Sequence, residues 1–271
     1  MDHIESAQNP TVKLLRSLAS RKGREQEGLF VAEGVQMATK ARAHDFTPRF
    51  VLVERGAETA PGVADIMAWA GDQGARVASV TAGLMSRLTG KDNPQPVLLA
   101  CAIRQADLPG PAATSKGTSL ALAGIRDPGN LGTIIRTAEA TGVERVILVG
   151  PSCDAFAPEA VRASTGSIFA IPIVMAETES FASWAGAWPG DRIGLDATTR
   201  DTYRRSYRRP VLVMLGSESG GLPPELRHLC TRLVRIPMRP GVESLNVAAA
   251  TAVMLYELDG GAIEPGGPTG S

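Results

Sequence analysis

The five-residue run VLVML, Val211–Leu215, is apolar without a break and has helix-like stretches on both sides. A strand with one face in water alternates in polarity. One that does not alternate is covered on both faces, and the common way to achieve this is a parallel sheet with helices above and below. Further strands are predicted at 119–123, 145–149, 171–174, 192–195 and 233–236, with helical segments between them. The second half of the chain is therefore read as an α/β domain. Its last helix, from about Leu245 to Leu258, carries Val247, Ala248, Thr251, Met254, Leu255 and Leu258 on most of its sides, which predicts burial all round.

The first half repeats the alternation on a smaller scale. Asn9 can cap a helix that has Pro10 at its first position, and Val12, Leu15, Leu18 and Ala19 share one face through about Arg21. Apolar runs at 29–32, 50–53, 76–80 and 97–102 then alternate with helix-like stretches at 35–43, 64–73 and 82–88. Between the halves, Pro109, Gly110, Pro111 and Gly117 break every period. The expected organisation is a first domain at 1–105, a linker at 106–117, a second domain at 118–260 and a flexible tail at 261–271.

Composition removes several function classes. In the 271 residues, 28 Lys and Arg balance 28 Asp and Glu, so any contact with nucleic acid has to be local. The 4% aromatic content and Ala-rich stretches argue against an all-β sandwich. Cys101, Cys153 and Cys230 are far apart and lack C-x-x-C spacing, so neither a disulfide framework nor a zinc site is expected, and the thiols are read as reduced and structural. His3, His44 and His228 are equally scattered, leaving no Ser/His/Asp triad and no metal site. The start, MDHIESAQNP, has no basic or apolar leader, and no apolar run approaches the roughly 20 residues of a membrane span; a cytoplasmic protein is expected.

In an open parallel sheet, ligands sit outside the carboxyl ends of the strands, so the loops there are the first candidates. One reads GIRDPGNLGTIIRTAEATGV, with a helix expected from near Leu131, Asn130 at its start and Arg136 farther along. The bland alternative for Asn130 is a helix cap. A second, LGSESGGLPPEL, follows VLVML; Gly216, Gly220 and Gly221 permit close backbone approach, but there is no Walker Lys and no G-x-G-x-x-G. Glu218 disfavours an anion there, so a neutral or cationic ligand fits better. A third, IPMRPGVESLNVAAA, presents Ser244, Leu245 and Asn246 ahead of the last helix, where capping is again the bland reading.

Taken together, PGNLGTIIRTAEATG, LGSESGGL and IPMRPGVESLNVAAATAVMLYE, in that order across about Ala121 to Leu258, resemble the three signature motifs of the SpoU (TrmH-type) RNA ribose methyltransferases of the SPOUT superfamily. RASTGSIFAIPIV, from Arg162 to Val174, is similar to the same family. REQEGLFVAEGV and SRLTGKDNPQPVLLACAI resemble the ribosomal-protein-like substrate-binding domain that many members carry. The resemblance implies a knotted Rossmann-like parallel sheet, a SPOUT trefoil knot, behind a smaller N-terminal α/β domain. It also implies S-adenosylmethionine in the knot and a homodimer with its active site near the subunit interface. Carried over, Leu215, Gly216, Ile236, Met238 and Leu245 would bind the cofactor with Asp196 and Ala197, while Asn130, Arg136, Glu218, Ser244 and Asn246 would form the reacting centre. The implied substrate is a ribose 2'-hydroxyl of RNA, most simply 23S rRNA, where antibiotic-resistance members act; transfer RNA, or a non-catalytic ribosome-assembly role, is the alternative.

Two local basic segments could meet that RNA. Residues 9–24 hold Lys13, Arg16, Arg21, Lys22 and Arg24 with no acid, and residues 200–209 hold five arginines interleaved with Tyr203 and Tyr207. If the latter segment is helical, Arg200, Arg204 and Arg208 share a face.

Overall fold

The computed structural model describes residues 1–110, 117–217 and 220–259. The chain forms two compact units. One comprises Met1–Arg104 with Asp154–Ala170; the other comprises Gln105–Cys153 with the residues from Ile171 onward. The segment Asp154–Ala170 lies inside the range read from sequence as the second domain, yet clusters with the first.

The first unit runs β1 (Asp2–Ile4), α1 (Pro10–Ser17), α2 (Arg21–Glu27), β2 (Leu29–Glu33), α3 (Val35–Ala43), β3 (Pro48–Glu54), α4 (Val63–Asp72), β4 (Arg76–Val80), α5 (Ala82–Thr89) and β5 (Val97–Ala102). Its sheet has the order β1-β4-β3-β5-β2. Strands β1 and β3 run parallel to β4, and β5 runs antiparallel to both β3 and β2. Phe30, Leu52, Met85 and Leu99 are fully buried in it. Asn9 caps α1 as expected, its side-chain oxygen accepting from the Thr11 amide at 2.9 Å.

The single helix expected through Arg21 is in fact two. Ser20 caps a new one by accepting from the Gly23 amide at 3.1 Å, and Ala19 is exposed in the turn between them. The crossing is close: a Cβ on Gly23 would lie 2.0 Å from the Ser17 carbonyl oxygen, so only glycine fits. This fold also corrects the reading of Arg24. It is 3% exposed, donates to the carbonyls of Leu18 at 2.7 Å and Ala19 at 3.0 Å, and pairs with Asp154 at 2.7 Å. Buried and saturated, it holds α2 to the Asp154–Ala170 segment instead of facing RNA. That segment adds α7 (Pro158–Ala163) and α8 (Ser167–Ala170), with Phe156 and Phe169 packed on Phe30 at ring-centroid distances of 5.0 and 5.6 Å.

The second unit contains β6 (Thr118–Ala123), α6 (Pro128–Ala140), β7 (Arg145–Val149), β8 (Ile173–Ala176), α9 (Thr178–Gly186), β9 (Asp191–Leu195), β10 (Val211–Leu215), α10 (Pro224–Arg227), β11 (Arg232–Val234) and α11 (Val247–Asp259). Its sheet is ordered β11-β9-β10-β6-β7-β8, and every pair in it is parallel. The order reverses between β6 and β10, so the loops after β6, β9, β10 and β11 share the carboxyl edge beside a topological switch point.

Three expectations change here. The segment read as a linker begins as part of this unit: Ala106 bridges to Val174, and the Trp184 indole donates to the Pro109 carbonyl at 2.8 Å. The last helix is buried on one side only; Thr251 and Met254 are fully buried, whereas Tyr256 is 53% exposed and Ala249 faces solvent. Small and aromatic residues on its outer face had hidden that asymmetry. Residues 200–209 are irregular, so Arg200, Arg204 and Arg208 share no helical face. The tail at 261–271 lies outside the described residues.

Candidate active site

Asp127, not Asn130, caps α6. Its carboxylate accepts from the Asn130 amide at 2.6 Å, and the helix starts at Pro128 instead of near Leu131. The Asn130 side-chain oxygen accepts from the Asn246 side-chain amide at 3.0 Å. The Asn246 oxygen in turn accepts from the backbone amides of Ala248 at 2.9 Å and Ala249 at 3.3 Å, capping α11. Asn246 thus caps a helix, the bland reading of it, and also ties the loop before α11 to the start of α6. The two helices pack against each other beyond that bond.

Beside Asn246 in sequence, Ser244 and Leu245 line a cleft of about 120 Å³ together with Asp196 and Ala197 from the loop after β9 and Ile236 and Met238 from the loop after β11. Two loops, the one after β9 and the long one that joins β11 to α11, converge there because β9 and β11 are parallel neighbours. Leu195, Val234, Arg235 and Ala250 complete the lining and were not picked out by sequence reasoning. Leu245 is 41% exposed, an apolar side chain held in solvent at the mouth of the cleft.

The Asp196 carboxylate is already committed. One oxygen accepts from the Thr198 amide at 2.8 Å and the Thr198 hydroxyl at 2.6 Å, and the other pairs with Arg227 on α10. Asp196 therefore shapes its loop through its side chain and offers the cleft mainly backbone. Arg227 was missed because nothing local in sequence links it to a residue on another strand end.

Leu215 and Gly216 end β10, between β9 and β6, and neither lines the cleft. Leu215 is buried in the sheet. Gly216 is required by its own loop: a Cβ there would lie 1.7 Å from the Gly221 carbonyl oxygen, and Ser217 bridges to Gly221. Glu218 lies outside the described residues. Arg136 is exposed on α6, six residues beyond Asn130, and does not line the cleft. At about 100° per residue the two side chains leave α6 roughly 120° apart.

The basic segments are less uniform than their composition. Arg16 and Lys22 are exposed, and Arg21 is exposed but paired with Glu25 at 2.8 Å, which holds its guanidinium above its ordinary pKa. In the second segment the Arg204 guanidinium lies over the Tyr203 ring at 5.5 Å, and Tyr203 itself is buried. The Tyr207 hydroxyl donates to the Tyr203 carbonyl at 2.5 Å. Arg205 pairs with Asp201 at 3.2 Å, and Arg209 reaches the Leu258 carbonyl at 2.6 Å. Arg204 and Arg208 remain exposed. Tyr203 is thus built into the fold and offers no free ring face to an RNA base.

Among the described residues no group of three or more His, Cys, Asp or Glu is placed to hold a metal, and no helix is long and apolar enough to cross a membrane.

Comparison with known proteins adds to this geometry. The SpoU rRNA Methylase family matches residues 117–256, and the MRM3-like substrate binding domain matches residues 9–99. An uncharacterized tRNA/rRNA methyltransferase of Synechocystis is 35% identical over 94% of this chain and 92% of its own length. The 23S rRNA (guanosine(2553)-2'-O)-methyltransferase RlmP of Bacillus subtilis is 28% identical over 96% of this chain and 100% of its own. Among solved structures, an AdoMet-bound rRNA methyltransferase from Sinorhizobium meliloti superposes with a TM-score of 0.89 at 35% identity, covering 97% of this chain and 99% of that one.

Proposed function

This chain belongs to the SpoU rRNA methylase family, and on that premise we propose that it methylates a ribose 2'-hydroxyl of RNA, with 23S rRNA as substrate and S-adenosylmethionine as methyl donor. The observation that carries the reading is the convergence of Asp196, Ala197, Ile236, Met238, Ser244 and Leu245 on one cleft at the carboxyl edge of a parallel sheet. The likeness to a 23S rRNA 2'-O-methyltransferase over 96% of this chain and 100% of that one supports the substrate.

The cleft suits the donor. Ala197, Ile236, Met238 and Leu245 offer apolar surface to an adenine ring, and backbone groups at the ends of β9 and β11 can read its edge. The space of about 120 Å³ accommodates a ring-sized group, so the remainder of the donor would extend toward Ser244 at the open side. When bound, the donor supplies a methyl group on a sulfonium, a good leaving group. Leu215 and Gly216 contribute through the position of the β10 end. The domain roles follow the same division: residues 1–105 bind RNA and 118–260 carry out the transfer.

The protein's own task is to align the ribose oxygen and to help it lose a proton. Ser244 can orient the hydroxyl, and the Asn130–Asn246 bond fixes the loop from which Ser244 projects. A guanidinium keeps its proton at any physiological pH, so Arg136 acts by stabilising the developing alkoxide or gripping the adjacent phosphate, with the proton leaving through phosphate or water. Glu218 is assigned to holding the loops together. Arg136 stands away from the cleft lining, and α11, which packs on α6, exposes Tyr256; both features fit a homodimer in which a second copy completes the site.

The deciding experiment maps 2'-O-methyl positions in total RNA from cells with and without the protein. A mark in 23S rRNA that depends on the protein is expected. A mark confined to transfer RNA would move the substrate, and no difference would overturn the reading. Mixing Arg136→Ala and Ser244→Ala chains tests the dimer: activity regained in the mixture is expected, and none would place Arg136 in its own subunit's site.

A further inference from the structure

A cavity of about 660 Å³ is lined only by residues of the first unit. Its walls are apolar at Leu15, Leu98 and Val161, all buried, and it also carries three cations, Arg87, Lys91 and Arg162. Two acids line it. Glu33 is neutralised, pairing with Lys91 at 2.7 Å and accepting from the Gln95 amide at 2.7 Å. Glu159 shares the lining with two arginines, Arg87 and Arg162, both exposed. Gln36 and Gln95 add side-chain amides, each with donors and an acceptor.

Apolar walls, amides and arginines in one cavity of several hundred Å³ describe a receptor for a flat heterocycle that carries a phosphate. A base paired inside an A-form helix cannot leave the stack to enter such a space; an unpaired or extruded one can. We propose that this cavity takes one unpaired nucleotide of the RNA substrate, its base against Leu15, Leu98 and Val161 and its phosphate toward Arg87 and Arg162. The proposal rests on the RNA reading above and adds to it the place where the first unit reads structure in the strand. The salt bridge between Lys91 and Glu33 ties the loop after α5 to the end of β2 at the edge of the cavity.

The test uses the full chain in cells fed 4-thiouridine, irradiated, with nucleotide–peptide adducts located by mass spectrometry. Adducts within residues 85–98 or 158–165 are expected. In parallel, an Arg87→Ala/Arg162→Ala double variant and Ala19→Trp, which fills the cavity from an exposed position, should weaken binding of an unmodified 23S rRNA transcript at least tenfold. Their melting temperature and S-adenosylmethionine affinity should match the parent's. Adducts only elsewhere, with both variants binding the transcript as the parent does, would overturn the cavity assignment and leave the RNA reading standing. No adducts and no transcript binding by the parent would overturn both. Free nucleoside monophosphates binding as tightly as the transcript would replace the RNA strand with a free nucleotide.

Discussion

The Asn246 side-chain amide donates to the Asn130 oxygen at 3.0 Å while its own oxygen caps α11, so one side chain joins the starts of two packed helices. The two roles separate by substitution. Asn246→Asp keeps the capping oxygen and loses the donor; it should fold with near-parental stability and lose at least tenfold in methyl transfer. Asn246→Ala should lose activity similarly and also about 1 kcal/mol of stability with the cap. Denaturant midpoints and methyl incorporation read the two effects. Equal stability losses in both variants would mean that capping is not separable from the bridge.

Arg136→Lys keeps the charge and removes the fork. If the guanidinium grips a phosphate through two parallel hydrogen bonds, the rate should fall at least tenfold at saturating donor. A rate near the parent's refutes the two-pronged contact and leaves only a point charge.

Arg24 is a structural cation. Removing it strands Asp154 in a site where that carboxylate is only 20% exposed, and Arg24→Ala should cost about 3 kcal/mol. The dependence of RNA affinity on salt should keep its slope, measured below the unfolding transition. A slope shallower by about one would return Arg24 to the RNA surface.

Charge reversal at the exposed Arg204 and Arg208 should weaken RNA binding and flatten its salt dependence, read by filter binding over a salt series. An unchanged slope makes the loop ordinary surface.

Burial pushes the Cys101 thiol up to about 12 and the Tyr207 phenol up to about 12, from ordinary values of 9.0 and 10.0. A raised pKa in the folded state means stability that is fully present below about pH 9 and lost as pH climbs toward 12, because the unfolded chain ionises first. The urea midpoint should fall from pH 8 to pH 10.5, and less steeply for Cys101→Ala. A midpoint that rises would reverse the sign and the assignment.

The sheet was legible because its strands are continuous apolar runs: Val211–Leu215 and Arg145–Val149 have the limits expected of them. The strand-end loops followed from the same pattern; that Ile236, Met238 and Leu245 belong together was implied by the resemblance of their motif to a known family, and all three line the cleft. What escaped depended on partners distant in sequence. Arg24 reads as a basic surface residue until Asp154, 130 positions away, folds onto it. Arg227 is invisible for the same reason. Arg200, Arg204 and Arg208 have helical spacing, but Asp191 and Tyr203 draw that loop into side-chain and backbone bonds of its own. At α6 the start was placed three positions late, near Leu131 instead of Pro128, since Asp127 and Asn130 are equally good capping types and only the backbone decides between them.

Because Asp154–Ala170 belongs with the first unit, the polypeptide passes between units three times, at 104–105, 153–154 and 170–171. No single cut yields either half intact. A chain shortened to begin at Thr118 would carry Phe156 and Phe169 without Phe30, leaving two aromatic rings bare, and a chain ended at Arg104 would leave Arg24 charged and unmatched. Exchanging the first unit between relatives therefore has to move Asp154–Ala170 with it.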